Sequence, residues 1–239
     1  MKIIWLGHSC FLLILSNGAK VVADPFYPED PLKPGLKLHY RLPVLSADFV
    51  LVSHEHFDHS ASDLIQGNPT VLNGPGQFSC GELTGEAILA DHDDCGGERS
   101  GKTLIFTWET ERMRFCHLGD VGQRSLRQEQ LRSIVPVDVL FIPVGGKFTI
   151  GPNEAVNYIR QLEPKVVVPM HYKTRMADFL EYGIEEFIDV CLAEGIRAIG
   201  TGAPALEITP SHLNVLQGPE VRCLLYAPEY LVRDLCQSG

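Results

Sequence analysis

Within the segment Ser53-His54-Glu55-His56-Phe57-Asp58-His59, four metal-competent side chains fall inside six positions, directly after the apolar run 49–53. Imidazole and carboxylate groups suit Zn²⁺, and also Fe or Mn. A tight turn after a buried strand can send His54 and His56 to one point and Asp58 and His59 to a neighbouring one. The bland alternative is a polar loop that happens to be rich in histidine. The whole chain has nine histidines, so three of them in one HxHxDH is not a chance concentration. Three more residues share a placement: His92 follows an apolar run at 87–89, Asp120 follows 112–116 and His171 follows 166–169. Taken alone, each is an ordinary surface or capping residue. Sites in α/β sheets gather where strands end in loops, and this shared placement gives the three a common destination.

The elements that must position these groups are legible as short apolar runs bounded by turn residues. Residues 2–6, 10–15 and 20–23 read as three strands, with Ser16-Asn17-Gly18 as a hairpin turn between the last two. Five prolines between Pro25 and Pro43 mark a long loop without regular structure, of the kind that borders a site. Residues 49–53 form a buried strand, and Ser60-Ala61-Ser62-Asp63 has the signature of a capping box that opens a short helix. Later strands are expected at 70–73, 87–89, 103–107, 112–116, 139–143, 166–169 and 197–199. Helices are expected at 126–135, 152–162 and 184–194, and Pro152 suits a first helical position. Antiparallel runs followed by strands that alternate with helices point to a mixed, layered α/β fold. Each half opens on a hairpin-like group, which hints at a duplicated half-domain. No linker divides the chain, so residues 1–239 read as one domain, with 205–239 poorly patterned.

Composition sets outer bounds. A chain of 239 residues can bury a large core and needs no disulfide staples. The net charge of −10 speaks against a broad basic face for nucleic acid. Seven scattered cysteines with no CxxC point to mostly buried free thiols in a reducing compartment. No apolar run approaches the roughly 18 residues of a membrane helix. The apolar stretch 3–15 is interrupted by Gly7-His8-Ser9 and lacks a cleavage site. A cytoplasmic protein with no membrane partner is expected.

Further segments carry a resemblance: Trp5-Leu6-Gly7-His8-Ser9-Cys10-Phe11, Asp24-Pro25-Phe26, the HxHxDH, His117-Leu118-Gly119-Asp120-Val121-Gly122, Gly145-Gly146-Lys147-Phe148-Thr149 and Pro169-Met170-His171-Tyr172. Across nearly its whole length the chain resembles the metallo-β-lactamase superfamily, and within it the small metal-dependent hydrolases related to L-ascorbate-6-phosphate lactonase. The resemblance implies a four-layer αββα sandwich, with two mixed sheets flanked by helices and two divalent metals in a cleft at one edge. His54, His56 and His92 would hold the first metal, Asp58, His59 and His171 the second, and Asp120 would bridge them. Zinc is the first expectation, with manganese or iron as alternatives. Two metals close together can bring a bridging hydroxide to neutral pH and polarise the bond under attack. The acidic surroundings of His92 make it the least secure ligand.

The third position of the Gly-Gly-x-Phe-Thr loop departs from the branch, carrying Lys147 in place of the usual His or Thr. A lysine there could anchor an anionic group or stabilise an oxyanion. The alternative is a solvated loop lysine. Arg124, Lys173 and Arg175 lie just beyond ligand segments and are further candidates for gripping an anion, although each is an ordinary surface charge when taken alone. His8 and His117 neighbour the motifs and could support ligands or substrate, and Asp58 or Asp120 could shuttle a proton. Cys95 and Cys116 read as buried, inert thiols. His39 and His212 have no supporting context.

The reading that results is a dinuclear hydrolase of an ester, lactone or phosphoester in a small soluble, anionic molecule, for example a sugar-phosphate lactone. Self-association is compatible with the resemblance. A nuclease or phosphodiesterase of the same fold is an alternative, but such relatives carry an inserted domain for which no segment is spare. An iron-dependent redox enzyme of the dioxygenase kind also fits the ligand types. A non-catalytic module with a degenerate site fits poorly, because all seven ligand positions are filled.

Overall fold

The computed structural model describes residues 1–227. Strands β1 (Lys2–Gly7), β2 (Cys10–Ile14) and β3 (Lys20–Ala23) form an antiparallel meander, and β4 (Phe49–Leu51) and β5 (Thr70–Leu72) extend it in parallel. The second sheet begins with the antiparallel strands β6 (Gly76–Cys80), β7 (Leu83–Asp91), β8 (Lys102–Thr110) and β9 (Met113–His117). It continues in parallel through β10 (Val139–Pro143) and β11 (Val166–Met170). Helices α1 (Gln128–Ile134), α2 (Pro152–Leu162) and α3 (Ile184–Ala193) interleave with these strands. The expected elements are present, most of them within a residue or two of the expected bounds.

The differences lie where local patterning is weak. The stretch from residue 205, unplaced by sequence, supplies β13 (Ala205–Glu207), the short helix α4 (Pro210–Asn214) and β14 (Glu220–Cys223). β13 pairs with β1, giving a six-stranded sheet ordered β13-β1-β2-β3-β4-β5. β14 lies between β11 and β12 (Arg197–Gly200), giving an eight-stranded sheet ordered β12-β14-β11-β10-β9-β8-β7-β6. The remainder of the expected tail, with Cys236, lies outside the described residues. The capping box at 60–63 does not form. A single 3₁₀ turn at Ser62–Leu64 has Ala61 at its start and no side-chain cap, because Ser60 Oγ donates to the His56 carbonyl instead, at 2.9 Å.

The two sheets pack face to face as the mixed α/β sandwich that the sequence predicts, α1 lying against β7 and α3 against β12. Phe11 of β2 meets Phe141 of β10 at 4.6 Å between ring centroids, and Trp108 and Phe115 stack in the same layer. One continuous apolar cluster spans both sheets. The proline-rich stretch between β3 and β4 has no helix or strand, yet buries Phe26, Leu38 and Tyr40. Gly7, at φ +105°, lets this loop close, since a Cβ there would lie 2.5 Å from the Tyr40 ring. Among the described residues, no helix is long and apolar enough to cross a membrane.

Candidate metal centre

The loops that leave β1, β3, β4, β7, β9 and β11 converge at one edge of the sandwich. Main-chain bonds hold them together. Leu104 N donates to Ser53 O at 2.8 Å, joining β8 to the start of the histidine motif. Gly122 N donates to Asp91 O at 2.9 Å, and Asp91 N to Gln123 Oε1 at 3.0 Å, so the residue before His92 is fixed to the loop that carries Asp120. His171 N reaches His8 O at 3.3 Å. The approach is close enough to exclude side chains: a Cβ on Gly122 would lie 2.6 Å from Asp93 N, and one on Gly145 2.1 Å from His171 O. His8, Asp24, Lys147 and His171 adopt left-handed backbone at φ 52°, 43°, 62° and 49°. Such conformations cost of order 1 kcal/mol each outside glycine and persist where surroundings over-determine them, as at functional sites.

These loops assemble two adjoining sets of ligand-competent atoms. His54, His56 and His92 form one, and His8, Asp58, His59 and His171 the other; within each set one atom per side chain lies within 4.8 Å of the rest. In the first set His54 Nε2 lies 2.9 Å and His92 Nε2 3.2 Å from His56 Nδ1. Tetrahedral ligands at zinc–nitrogen distances lie roughly 3.3 Å apart, so these spacings suit one small cation. Asp120 stands between the sets. Its Oδ2 is 3.1 Å from His59 Nε2, 3.2 Å from His171 Nε2, 3.7 Å from His92 Nε2 and 3.9 Å from His54 Nε2. The other oxygen, Asp120 Oδ1, and His59 Nε2 are buried without a hydrogen-bond partner. Buried polar atoms are seldom left unpaired, and a cation between these two groups would satisfy both.

A second layer aims the imidazoles. Asp24 Oδ2 accepts from His59 Nδ1 and from Ser53 Oγ, both at 2.8 Å, while Asp24 Oδ1 accepts from Ser53 N. Ser53 Oγ in turn lies 3.0 Å from His54 Nδ1. Holding the Nδ1 side of His54 and His59 in this way turns each Nε2 into the site, which is how outer partners tune metal ligands. His8 Nε2 lies 3.0 Å from Asp58 Oδ2.

The protein's own charges agree with this arrangement. Burial opposes charge on His59, yet the carboxylates of Asp120, Asp58 and Asp24 outweigh it and hold its pKa well above the ordinary value. Burial also works against the Asp120 carboxylate, but His171 and His59 keep it ionised far below the usual range. Burial, reinforced by His59, holds His54 well below the imidazole range, and burial also lowers His92. Burial and His171 bring His8 down to about 4. Positive charge is therefore favoured between Asp58 and Asp120, and His54 and His92 are kept neutral and free to ligate.

The other expected site residues are not gathered at this point. His117 is buried with Nε2 3.2 Å from Ser9 O and Nδ1 accepting from Gly119 N at 3.2 Å, which leaves neither nitrogen for a reacting group. It braces the turn to Asp120. Lys147 Nζ donates to the Phe179 carbonyl at 2.8 Å and lies 5.1 Å over the Phe148 ring. Lys173 and Arg175 are exposed and do not line the cleft over the ligand cluster, while Arg124 pairs with Asp94 at 3.1 Å. Cys116 is buried as expected; Cys95 is only partly buried, and Arg99 Nε donates to its Sγ at 3.2 Å. Sequence reasoning did not give Asp24 a role, although Asp24-Pro25-Phe26 is among the motifs it singled out. It also missed the walls of the cleft, described below.

The family model of the β-lactamase superfamily domain matches residues 2–171, and the chain belongs to that superfamily. Among its relatives is a UPF0173 protein of Pyrococcus furiosus, 30% identical over 211 residues that cover 78% of this chain and 89% of that one. A protein of Carboxydothermus hydrogenoformans described as a UPF0173 metal-dependent hydrolase is 29% identical over 202 residues, covering 73% of this chain and 85% of its own. The crystal structure of a candidate Zn-dependent hydrolase of the metallo-β-lactamase superfamily from Thermotoga maritima superposes with a TM-score of 0.71 at 32% identity, covering 94% of this chain and 99% of that one.

Proposed function

We propose that this protein is a metal-dependent hydrolase that cleaves an ester, lactone or phosphoester bond in a small molecule. His54, His56 and His92 would hold one divalent cation and Asp58, His59 and His171 a second, with Asp120 shared between them. Zinc is the first choice, and manganese or iron would suit the same donors. The observation that carries the reading is the crowding of four imidazole nitrogens around Asp120 Oδ2, with Asp120 Oδ1 buried and unpaired. Bound there, divalent metal supplies Lewis-acid polarisation and a water acidified towards neutrality.

The chain's own residues do the rest. Asp24 and Ser53 fix the orientation of His54 and His59. Asp58, kept ionised against its burial by His59 and His8 and lining the cleft, is placed to accept a proton and relay it to a departing alcohol. His8 resists protonation, so it remains a neutral support for that carboxylate. We read the protein as a single cytoplasmic domain, a view supported by the free thiols among its described cysteines and by β13 and β14 completing both sheets.

Elemental analysis of the purified protein, paired with ester hydrolysis, tests the reading. About two zinc or manganese ions per chain and turnover that chelation abolishes are expected. Iron with oxygen uptake and no hydrolysis would overturn it. Asp120→Ala should lose both bound metal and turnover, and full activity in that variant would remove the shared-ligand role.

A further inference from the structure

The cleft over the ligand cluster has walls that bear on substrate. It encloses about 630 Å³, a volume suited to a small organic molecule, with Asp58, Asp120 and His171 in its lining. Phe57, Phe148 and Phe179 supply aromatic wall, and Leu32 and Leu36 of the proline-rich loop complete it. Leu32 is 88% exposed and Phe148 38%, an uncovered apolar rim at the entrance to a buried polar centre. Apolar walls around a few convergent polar groups are the usual make-up of a small-molecule pocket.

Three of the cations nearby, Lys147, Arg99 and Arg124, are already engaged. Lys147 spans the two aromatics, donating to the Phe179 carbonyl at 2.8 Å with its ammonium 5.1 Å from the Phe148 ring centroid, while the rings lie 6.4 Å apart. Arg99 hydrogen-bonds Asp94 and Cys95 Sγ, and its loop is pinned by Asp93, which accepts from the main-chain N–H groups of Cys95, Gly97, Arg99 and Ser100. Arg124, in the adjoining cavity of about 430 Å³, is held by the same Asp94. Lys33 of the proline-rich loop is a lone lysine in the lining of the larger cleft, which it shares with the carboxylates of Asp30 and Glu55. A phosphate or carboxylate needs a convergent pair or fork of uncommitted donors, and the lining offers none.

We propose, resting on the hydrolase reading above, that the substrate is an uncharged ester or lactone whose apolar group lies against Phe148 and Phe179. Lys147 is then a positioning residue that clips the two rings into one wall. This replaces the anionic substrate expected from sequence, because the lysine that suggested an anion site is spent on holding the wall together.

Three p-nitrophenyl esters separate the possibilities on the metal-loaded protein: the acetate, the hexanoate, and the adipate monoester, which matches the hexanoate in length but ends in a carboxylate. Each methylene covered by the wall is worth up to about fourfold, so a kcat/KM at least roughly tenfold higher for hexanoate than for acetate is expected. The adipate monoester should fall at least about tenfold below the hexanoate. Phe148→Ala, at a half-exposed position that does not threaten the core, should shrink the hexanoate-to-acetate ratio several-fold. Lys147→Met keeps the stem and removes the ammonium, and should raise KM for the hexanoate more than it changes kcat. Equal rates on acetate and hexanoate, or a preference for the adipate monoester, would overturn the proposal. Binding of 2-nonanone, an uncharged ketone that cannot be hydrolysed, is followed by NMR independently of turnover. If none of these esters is cleaved, the ester branch of the hydrolase reading fails, and the ketone still decides this one. Affinity weakened several-fold in Phe148→Ala supports the wall, and equal affinity in the two proteins rejects it.

Discussion

Asp24 shows how much of this centre depends on a residue that would touch no metal. Its carboxylate engages His59, Ser53 Oγ and Ser53 N together, from a left-handed backbone position that favours Asp or Asn. Asp24→Asn keeps the shape and the backbone preference while removing the charge. Losing such an outer partner typically costs 10–100-fold in metal affinity. We expect a loss of about that size, concentrated in the cation held by His59, in competition titrations against a chromophoric chelator; unchanged affinity would show that Asp24 only fills space. The histidine motif was legible because its ligands are contiguous. His92, Asp120 and His171 were legible because each follows a strand. Asp24 was not, because its role arises only when β3 and β4 lie side by side and bring it against Ser53.

At the scale of elements, the site is a set of loops locked to one another. Gly145→Ala would drive a Cβ to 2.1 Å from the His171 carbonyl, and neither backbone can yield without moving a ligand. Overpacking of this kind costs about 1–3 kcal/mol. Urea unfolding should show that loss together with reduced metal content, and a variant of normal stability and metal content would mean the two loops are looser than described. On the opposite side, Tyr27 donates to Asp63 and ties the proline-rich loop to the turn after the histidine motif, while Tyr27 N donates to Phe57 O at 2.8 Å. The hydrogen bond to Asp63, aided by burial, lifts the phenol from an ordinary 10 to about 12. The protonated phenol is the stabilising form, so its contribution is full below pH 10 and fades as pH rises towards 12. Tyr27→Phe should therefore be less stable than the parent at neutral pH, with the gap closing between pH 10 and 12; a constant gap would refute the link. The elements that escaped sequence reading fail for local reasons. β14 is four residues long, and its Glu220 is buried against Arg197 at 2.9 Å, so charge interrupts the apolar pattern. β6 carries Gly and Gln along a largely exposed edge.

For the whole molecule, ligands drawn from the loops after β4, in one sheet, and after β7, β9 and β11, in the other, make bound metal a fastener between the sheets as well as a reagent. A ligand held at a thousand times its Kd adds about 4 kcal/mol to the folded state. For a chain of this size that corresponds to a shift on the order of 10 °C. Chelation should lower the thermal midpoint by about that much, reversibly on adding zinc; an unmoved midpoint would place the metal outside the folded framework. The seams of the sheets set a different demand, on the order of events during synthesis. β1 pairs with β13, about 200 residues later in the chain, and β14 is enclosed by β11 and β12. Both partnerships span long stretches of sequence, and contacts of that kind slow folding. The six-stranded sheet cannot close until residue 207 has left the ribosome, nor the eight-stranded sheet until residue 223, so the nascent chain carries its histidine motif at 54–59 well before either sheet is complete.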